Sequence, residues 1–301
     1  MVGEGRSVPA GRPSRVAAAA PALFVLLWST GFVVARYGTR DAAPLTFLTY
    51  RLLIAAVVLG VVAAATTAPR PARPAVGWAL VAGLGLHAMY LGGVFVAIAH
   101  GLPSGVSALI VGLHPVLTSV AAVGLLGESM ARVQWSGVAL GFVGVVIVVI
   151  DRLLAHSSGI ALWPLLAASL SVLGMSGGTL VQRRRGATMP LVWGTAVQYL
   201  GAAAVLGVGA VAIEHLRFEW TTQSVFALVW AIVVLSIAAV LIMLWLLQRH
   251  AASRVSSLFF LTPALSAIMG AILFGERLGA LALVGLVVAL AGVALVTRRP
   301  V

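Results

Sequence analysis

Three ionisable residues lie inside long apolar runs, where a polar side chain is costly and is therefore a candidate for function. Arg51 lies two helical turns inside its run and could bind a carboxylate; the alternative is a structural role, in which it snorkels outward or bonds backbone carbonyls between helices. His87 and His114 lie near the middles of two other runs. Histidine titrates near physiological pH, so either could carry a proton. The acidic residues fall at run ends, in loops or near the N-terminus, so a proton relay built on a buried carboxylate has no support.

His87 and Tyr90 are three residues apart, and this spacing puts both on one face of a helix. A polar and aromatic face inside hydrocarbon is expected to point to protein or to water. We therefore predict that both residues line a cavity. The alternative for His87 is a hydrogen bond between two helices.

Two tryptophans, Trp28 and Trp230, lie too deep in their runs for the aromatic belt at a membrane surface. They are candidates for a cavity wall, and plain packing is the alternative. Ser29 and Gln198 could add hydrogen bonds to the same cavity.

Prolines interrupt two of the runs at matching positions. His114 precedes Pro115, and Thr262 precedes Pro263. Proline removes a helical hydrogen bond and frees a carbonyl one turn earlier, which gives a kink and a polar patch. The prolines are hinge candidates, and His114 and Thr262 are cavity candidates.

The chain is internally duplicated. HPVLTSVAAVGLLGE, which begins at His114, aligns with TPALSAIMGAILFGE, which begins at Thr262, at an offset of 148 residues. RLLIAAVVLGVVA from Arg51 aligns with QYLGAAAVLGVGA from Gln198, with eight identities in thirteen positions. A fixed offset close to half the chain length indicates two copies of one unit, which in an apolar protein is typical of transporters.

The composition is that of a polytopic membrane protein, with 61% hydrophobic and 9% charged residues. Cysteine is absent, so disulfides and thiolate metal sites are excluded. The six histidines lack metal-ligand spacing, and the sequence has no nucleophile elbow, P-loop or dinucleotide fingerprint. We predict no catalytic residues, no metal and no cofactor. The net charge of +12 comes from arginines spread between the runs, so we predict the lipid bilayer and a small molecule as partners and no nucleic acid.

Ten apolar runs are long enough to cross about 30 Å of hydrocarbon as helices. They span residues 16–37, 44–65, 75–99, 104–126, 133–150, 159–181, 190–213, 224–247, 253–274 and 280–296. Barrel strands are excluded because these runs are continuously apolar instead of alternating.

Arginine is distributed unequally between the two sides that ten crossings define. Thirteen arginines fall on the side of both termini: Arg6, Arg12, Arg15, Arg70, Arg73, Arg132, Arg183, Arg184, Arg185, Arg249, Arg254, Arg298 and Arg299. Five fall on the other side: Arg36, Arg40, Arg152, Arg217 and Arg277. This bias predicts that both termini are cytoplasmic and that residues 1–15 form a disordered cytoplasmic tail. A cleaved signal peptide is the disfavoured alternative, because the first run is long for one and nine more follow.

Five crossings per copy is an odd number, so the second copy must enter the membrane upside down. We predict an all-α integral membrane fold of ten transmembrane helices, arranged as two inverted five-helix repeats over residues 16–150 and 159–297. A pseudo-two-fold axis in the membrane plane gives two nearly equivalent arrangements of the helices, one open to each side.

The residues resemble a known family. LLWSTGF from Leu26, Arg51 in the second run, and proline-containing runs that end in Leu-Leu-Gly-Glu and Leu-Phe-Gly-Glu look like EamA-type members of the drug/metabolite transporter superfamily. The resemblance covers nearly the whole chain. It implies a central cavity and export of amino acids, related metabolites or drugs across the bacterial inner membrane. It also implies that a basic residue is common at the position of Arg51, which favours the structural role for this side chain.

These features predict a secondary active or facilitative carrier with a nearly neutral cavity, lined by the first, third, fourth, sixth, eighth and ninth runs. An importer of a small metabolite and a non-transporting membrane scaffold or receptor are the alternatives. An intramembrane enzyme would need acids or histidines clustered at one depth, and the runs supply none. The sequence leaves open the substrate, the coupling ion and whether the protein forms a homodimer.

Overall fold

A computed structural model describes residues 15–66, 68–127, 129–155, 162–185, 190–249, 258–259, 261–276 and 279–296. Most of the predicted tail, residues 1–14, lies outside the described residues, as does Glu128. The described residues form helices and contain no strand; an isolated bridge joins Ala42 to Phe218.

The helices follow the apolar runs of the sequence. In chain order they are α1 Arg15–Asp41, α2 Pro44–Ala65, α3 Arg73–Gly83, α4 Tyr90–Ala99, α5 Ser104–Val111, α6 His114–Leu126, α7 Arg132–Ala155, α8 Leu162–Arg185, α9 Leu191–Ala212, α10 Thr222–Trp230, α11 Val240–Arg249, α12 Leu261–Phe274 and α13 Ala280–Val296. Two π-helical turns, Leu84–Met89 and Ala231–Ala239, join α3 to α4 and α10 to α11.

Each predicted run overlaps one of these helices or joined pairs. Seven helical stretches of the described residues are long and apolar enough to cross a membrane. Three further apolar helices, Arg132–Val148, Leu261–Phe274 and Ala280–Val296, are shorter. An all-helical membrane fold is therefore confirmed, while the number of crossings stays a prediction.

Helices α7 and α13 pack with their backbones in contact through glycines. A Cβ atom on Gly137 would lie 2.6 Å from the carbonyl oxygen of Gly292, and one on Gly144 would lie 2.6 Å from that of Gly285. Gly137, near the start of α7, meets Gly292, near the end of α13, and Gly144, further along α7, meets the earlier Gly285. The two helices are therefore antiparallel. Small residues permit this close approach in place of interlocking side chains.

The same four glycines are related by the sequence repeat. Gly137 aligns with Gly285, and Gly144 aligns with Gly292. The contact of Gly137 with Gly292 is therefore the repeat equivalent of the contact of Gly144 with Gly285. Helices α2 and α9 are a second antiparallel pair, in which Gly209 faces Leu45 and Gly207 faces Thr49.

Two glutamates cap the starts of helices in other parts of the bundle. Glu214, which follows α9, accepts hydrogen bonds from the backbone N–H groups of Leu45 (3.0 Å) and Thr46 (2.8 Å) at the start of α2. Glu276, which follows α12, accepts bonds from the N–H groups of Ser104 (3.0 Å) and Gly105 (3.2 Å) at the start of α5. Helix N-termini have unpaired N–H groups and a positive partial charge, so carboxylates stabilise them.

Both halves interrupt their helices at matching places. The π turns, 84–89 and 231–239, lie at equivalent points of the repeat. Pro115 lies in the first turn of α6, after a break at residues 112–113, and Pro263 lies in the first turn of α12. Proline is tolerated there because the first turn of a helix has no partner for its N–H. The prolines therefore begin helices; their role as hinges stays a prediction.

Candidate functional site

A cavity of about 350 Å³ lies between the two halves of the bundle. Its polar and titratable lining residues are Arg51, His87, Tyr90, His114, Thr179, Gln182, Arg183, Thr195, Gln198 and Tyr199. Its larger aromatic and sulfur-containing ones are Trp28, Phe32, Phe95, Met175, Met243 and Phe259. The cavity thus combines a mostly apolar wall with a few polar groups, which is typical of sites for small organic molecules.

One end of the cavity lies beside the connection between α8 and α9. Arg183 and Leu191 line this end and are exposed. Towards the other end the lining residues are buried, and they include Tyr90 and Phe95 of α4. The cavity therefore opens at the α8–α9 end of the bundle.

Arg51 lies on the cavity wall, inside the protein. Its side chain is on α2, the residue is only 6% exposed, and Nε donates a hydrogen bond to Ser236 Oγ at 2.9 Å. It does not snorkel to the surface. No carboxylate of the described residues lies within ion-pair distance of its guanidinium.

Ser236 joins Arg51 to the neighbouring helix α9. It lies within the π turn of residues 231–239, and its carbonyl oxygen accepts a hydrogen bond from Tyr199 OH at 3.2 Å. A π turn disturbs the regular i to i−4 bonding of a helix, and such turns recur at functional sites. One residue of the turn thus contacts both Arg51 and Tyr199.

A second chain of hydrogen bonds includes His87 of the cavity wall. His87 Nε2 lies 3.3 Å from Gln198 Oε1, and Gln198 Nε2 donates to Gln182 Oε1 at 2.8 Å. The His87 ring also meets the Tyr199 ring edge to face, with centroids 4.6 Å apart. His87 therefore both lines the cavity and bonds a second helix, so its two predicted roles coincide.

The π turn of residues 84–89 carries His87, and glycines hold this turn against its neighbours. A Cβ atom on Gly83 would lie 2.6 Å from the carbonyl oxygen of Gln198, and one on Gly85 would lie 2.6 Å from that of Gly174. This close packing fixes His87 opposite Gln198.

Trp28, His114 and Thr262 meet beside the main cavity. A smaller void of about 20 Å³ is lined by Trp28, Tyr90, His114, Pro115, Thr262 and Pro263, among others. Trp28 packs against Phe259 with ring centroids 5.1 Å apart. Thr262 Oγ1 is buried and has no hydrogen-bond partner among the described residues. Thr262 and the two prolines thus adjoin the main cavity without lining it.

Two of the predicted cavity residues lie elsewhere. Ser29 Oγ donates to the carbonyl of Val25 within α1 at 2.7 Å, and the residue is buried. Trp230 Nε1 donates to Thr30 Oγ1 at 3.0 Å and lines a separate groove of about 410 Å³ with Phe226. Neither residue borders the main cavity.

Several residues of this site were not predicted from the sequence. Tyr199, Ser236 and Gln182 carry three of its hydrogen bonds. Helices α2 and α9 also contribute to the wall, although the predicted lining omitted their runs. The sequence repeat did indicate that α2 and α9 contribute, because the polar residues Arg51 and Gln198 align with each other and both lie inside apolar runs. In the part of the chain that the structure describes, no group of three His, Asp or Glu residues could hold a metal ion.

A bundle of apolar helices around a cavity of mixed polarity defines a membrane protein of the transporter class. The sequence matches the model of the EamA-like transporter family twice, over residues 17–150 and 162–298. The chain belongs to this family, whose members are membrane transporters and not enzymes.

Several curated proteins are similar over nearly their full length. "Uncharacterized transporter YvbV" of Bacillus subtilis is 26% identical over 279 residues, which are 92% of this chain and 90% of that protein. A "Probable amino-acid metabolite efflux pump" of Salmonella typhimurium is 27% identical over 282 residues, which are 90% of this chain and 91% of that protein. "Uncharacterized inner membrane transporter YedA" of Escherichia coli K12 is 27% identical over 282 residues, which are 92% of this chain and 89% of that protein.

A solved crystal structure has the same fold. It superimposes with a TM-score of 0.64 over 92% of this chain and 94% of the other, at 20% sequence identity.

Proposed function

We propose that this protein is a secondary transporter of the inner membrane that exports small metabolites, such as amino acids, related compounds or drugs, by alternating access. The observation that carries the proposal is the cavity of about 350 Å³, to which both homologous halves contribute polar and aromatic side chains. A scaffold protein would have no reason to maintain such a space. The printed name of the Salmonella relative, an amino-acid metabolite efflux pump, agrees with this class of substrate.

Alternating access follows from inverted repeats over residues 16–150 and 159–297. The antiparallel contact of α7 with α13 supports the inversion, since these helices are repeat equivalents and run in opposite directions. The matched π turns and proline-containing helix starts support the same symmetry. Two nearly equivalent packings of the halves would open the cavity to either side in turn.

The position of the opening is compatible with export. The cavity opens beside the α8–α9 connection, which follows Arg183, Arg184 and Arg185. The bias of arginine assigns this connection to the cytoplasm. This conformation would load substrate from the cytoplasm.

Within the cavity, we assign substrate contacts to Trp28, His87, Tyr90, His114 and Gln198. Arg51 is assigned the contact with an anionic group, because its guanidinium borders the cavity without a carboxylate partner among the described residues. Ser29, Trp230 and Thr262 are assigned to helix packing.

A flux experiment tests this proposal. Cells that express the protein would be loaded with a panel of radiolabelled metabolites, and retention would be measured for wild type, His87→Ala and His114→Ala. His100→Ala is the matched control, since His100 bonds its own helix at Val96 O and lies outside the cavity. We expect the wild type and the control to lower retention of at least one compound and both cavity variants to do so less.

The rival functions give different results in the same experiment. An importer would raise retention, and a scaffold would leave retention of every compound unchanged. Repeating the assay in proteoliposomes with and without a pH gradient identifies proton coupling. Full activity of both cavity variants would contradict the assignment of the two histidines.

A further inference from the structure

We propose that the substrate of this cavity is an organic anion with an apolar body and no ammonium group. Its carboxylate would bind Arg51, and its body would lie against the aromatic wall. The inference rests on the proposed transport function; among the substrates proposed there it keeps anionic related compounds and drugs and excludes zwitterionic amino acids.

Arg51 carries a positive charge on the wall of the cavity. A guanidinium stays protonated in proteins, and a buried charge is costly unless an opposite charge or hydrogen bonds compensate it. Its Nε atom bonds the neutral hydroxyl of Ser236, and the described residues supply no carboxylate partner. A guanidinium offers five N–H donors in a planar fork, which matches a carboxylate. A carboxylate in the cavity would therefore supply the missing negative charge.

The acidic residues that the structure describes lie outside the cavity lining. Glu214 and Glu276 bond the starts of α2 and α5, and Glu276 also pairs with Arg36. Asp41 accepts a hydrogen bond from the hydroxyl of Thr221. None of these acids, nor any other described carboxylate, borders the cavity.

The consequence concerns the amino group of an amino acid. An ammonium transferred from water into this cavity would lose hydration without gaining a carboxylate partner from the described residues, and it would also lie near the positive charge of Arg51. The cavity is thus complementary to one end of a zwitterion and unfavourable to the other. A compound that has the carboxylate and lacks the ammonium avoids this cost.

Much of the rest of the cavity wall is apolar. Trp28, Phe32, Phe95, Met175 and Phe259 surround the cavity with apolar surface. Burying an aromatic or branched aliphatic body there is favourable because it removes apolar surface from water. The volume of about 350 Å³ accommodates a body of one ring.

A matched series of ligands tests the inference with the purified full-length protein. The series is 3-phenylpropanoate, phenylalanine and 3-phenylpropylamine, which share one apolar body and are an anion, a zwitterion and a cation. Affinities would be measured by isothermal titration calorimetry in detergent. We expect the anion to bind about tenfold or more tightly than the zwitterion, because the zwitterion must also bury an ammonium group near Arg51 without a carboxylate partner. The cation should bind least, because it lacks the carboxylate that pairs with Arg51.

Variants connect the preference to Arg51. Arg51→Gln should lower the affinity for the anion and abolish its preference over the cation, and Arg51→Lys should retain part of that preference. Arg132→Gln, at an exposed position at the start of α7, is the control and should bind as the wild type does. Size-exclusion profiles identify any variant that does not fold. If Arg51→Gln does not fold, the comparison is made with Arg51→Lys instead.

The outcomes separate this inference from the transport proposal. Binding of phenylalanine or the amine as tight as the anion, or binding of none of the three, overturns the anion inference. If phenylalanine binds best and is also exported by cells, the protein is a carrier for zwitterions and only the charge class is wrong. If the anion binds through Arg51 but no compound crosses the membrane in either direction, the charge class stands and the transport function fails.

Discussion

Arg36 and Glu276 form an ion pair, with Nη1 and Oε1 3.0 Å apart. The same carboxylate accepts hydrogen bonds from Ser104 and Gly105, so it joins the end of α1, the start of α5 and the end of α12. This cluster lies at the end of the bundle opposite the cavity opening. Helix α3 starts beside the end of α8, at the cavity opening, where the Arg185 guanidinium lies over the Trp78 ring. From there α3 and α4 run towards the other end of the bundle, where Ser104 begins α5.

The ion pair should stabilise the conformation that is closed at this end. Arg36→Gln leaves the helix cap but removes the charge pair, and we expect the alternative, outward-open conformation to rise about fivefold in population, for a loss of about 1 kcal/mol. The chain has no cysteine, so Val94→Cys on the buried wall is a single reporter. Its rate of labelling by an impermeant maleimide from outside measures the change.

Arg217→Gln is the matched control for this prediction. Arg217 is exposed and follows α9 at the same end of the bundle. Equal labelling rates in wild type, Arg36→Gln and Arg217→Gln would mean that the ion pair does not bias the two conformations.

The cap at the start of α2 should contribute to stability. Glu214→Gln leaves one side-chain oxygen in place of two, so the amide can accept from the N–H group of Leu45 or of Thr46 but not from both, and it accepts less strongly than a carboxylate. We expect a loss of about 1 kcal/mol, the usual scale of an N-cap, measured as a lower midpoint of thermal unfolding in detergent. Glu219→Gln, on an exposed residue of the same connection, should leave the midpoint unchanged. A shift of equal size in both variants would indicate a general charge effect.

The contact of α7 with α13 should not tolerate a side chain. In Gly144→Ala the new methyl group would overlap the carbonyl of Gly285, so the helices must separate, at a cost of about 1 to 3 kcal/mol. Gly124→Ala is the control, because a Cβ atom at that position of α6 meets nothing within 4 Å. Loss of folded protein would be followed by titration with a denaturing detergent. Equal stability of the two variants would contradict the close backbone packing.

The orientation of the helices can be measured directly. Arg184 at the end of α8 and Arg217 beyond α9 are both exposed and are separated by one helix, α9. The arginine bias predicts that Arg184 is cytoplasmic and Arg217 external. An impermeant maleimide added to intact cells should therefore label Arg217→Cys and not Arg184→Cys. The reverse pattern would invert the predicted topology and also the proposed direction of loading.

The apolar runs and the internal repeat predicted most of the helix positions, because a helix that spans a membrane must be continuously apolar over its length. The direction in which a side chain points from its helix was not predictable. Trp28 and Trp230 were both judged deep, yet only Trp28 borders the main cavity, since rotation about the helix axis is set by packing against neighbours.

The partners of Arg51 were also beyond the sequence. Ser236 reaches Arg51 from a π turn, and a π turn has no distinct signal in a run composed almost entirely of apolar residues. Gly83 likewise fixes the spacing between His87 and Gln198 through a backbone contact that no pattern of hydrophobicity encodes. The site residues that were predicted, His87 and Gln198 among them, were recognised as polar residues inside apolar runs. Their arrangement in space could not be predicted from the sequence.

The glycine contacts between α7 and α13 have a consequence for how such a chain could arise. Both contacts are made by the same two positions of the repeat, so one helix of a single unit carries everything that the interface needs. Two separate molecules of that unit, inserted into the membrane in opposite orientations, could form this interface without a covalent link. Fusion of two gene copies would then have fixed an association that already existed between independent subunits.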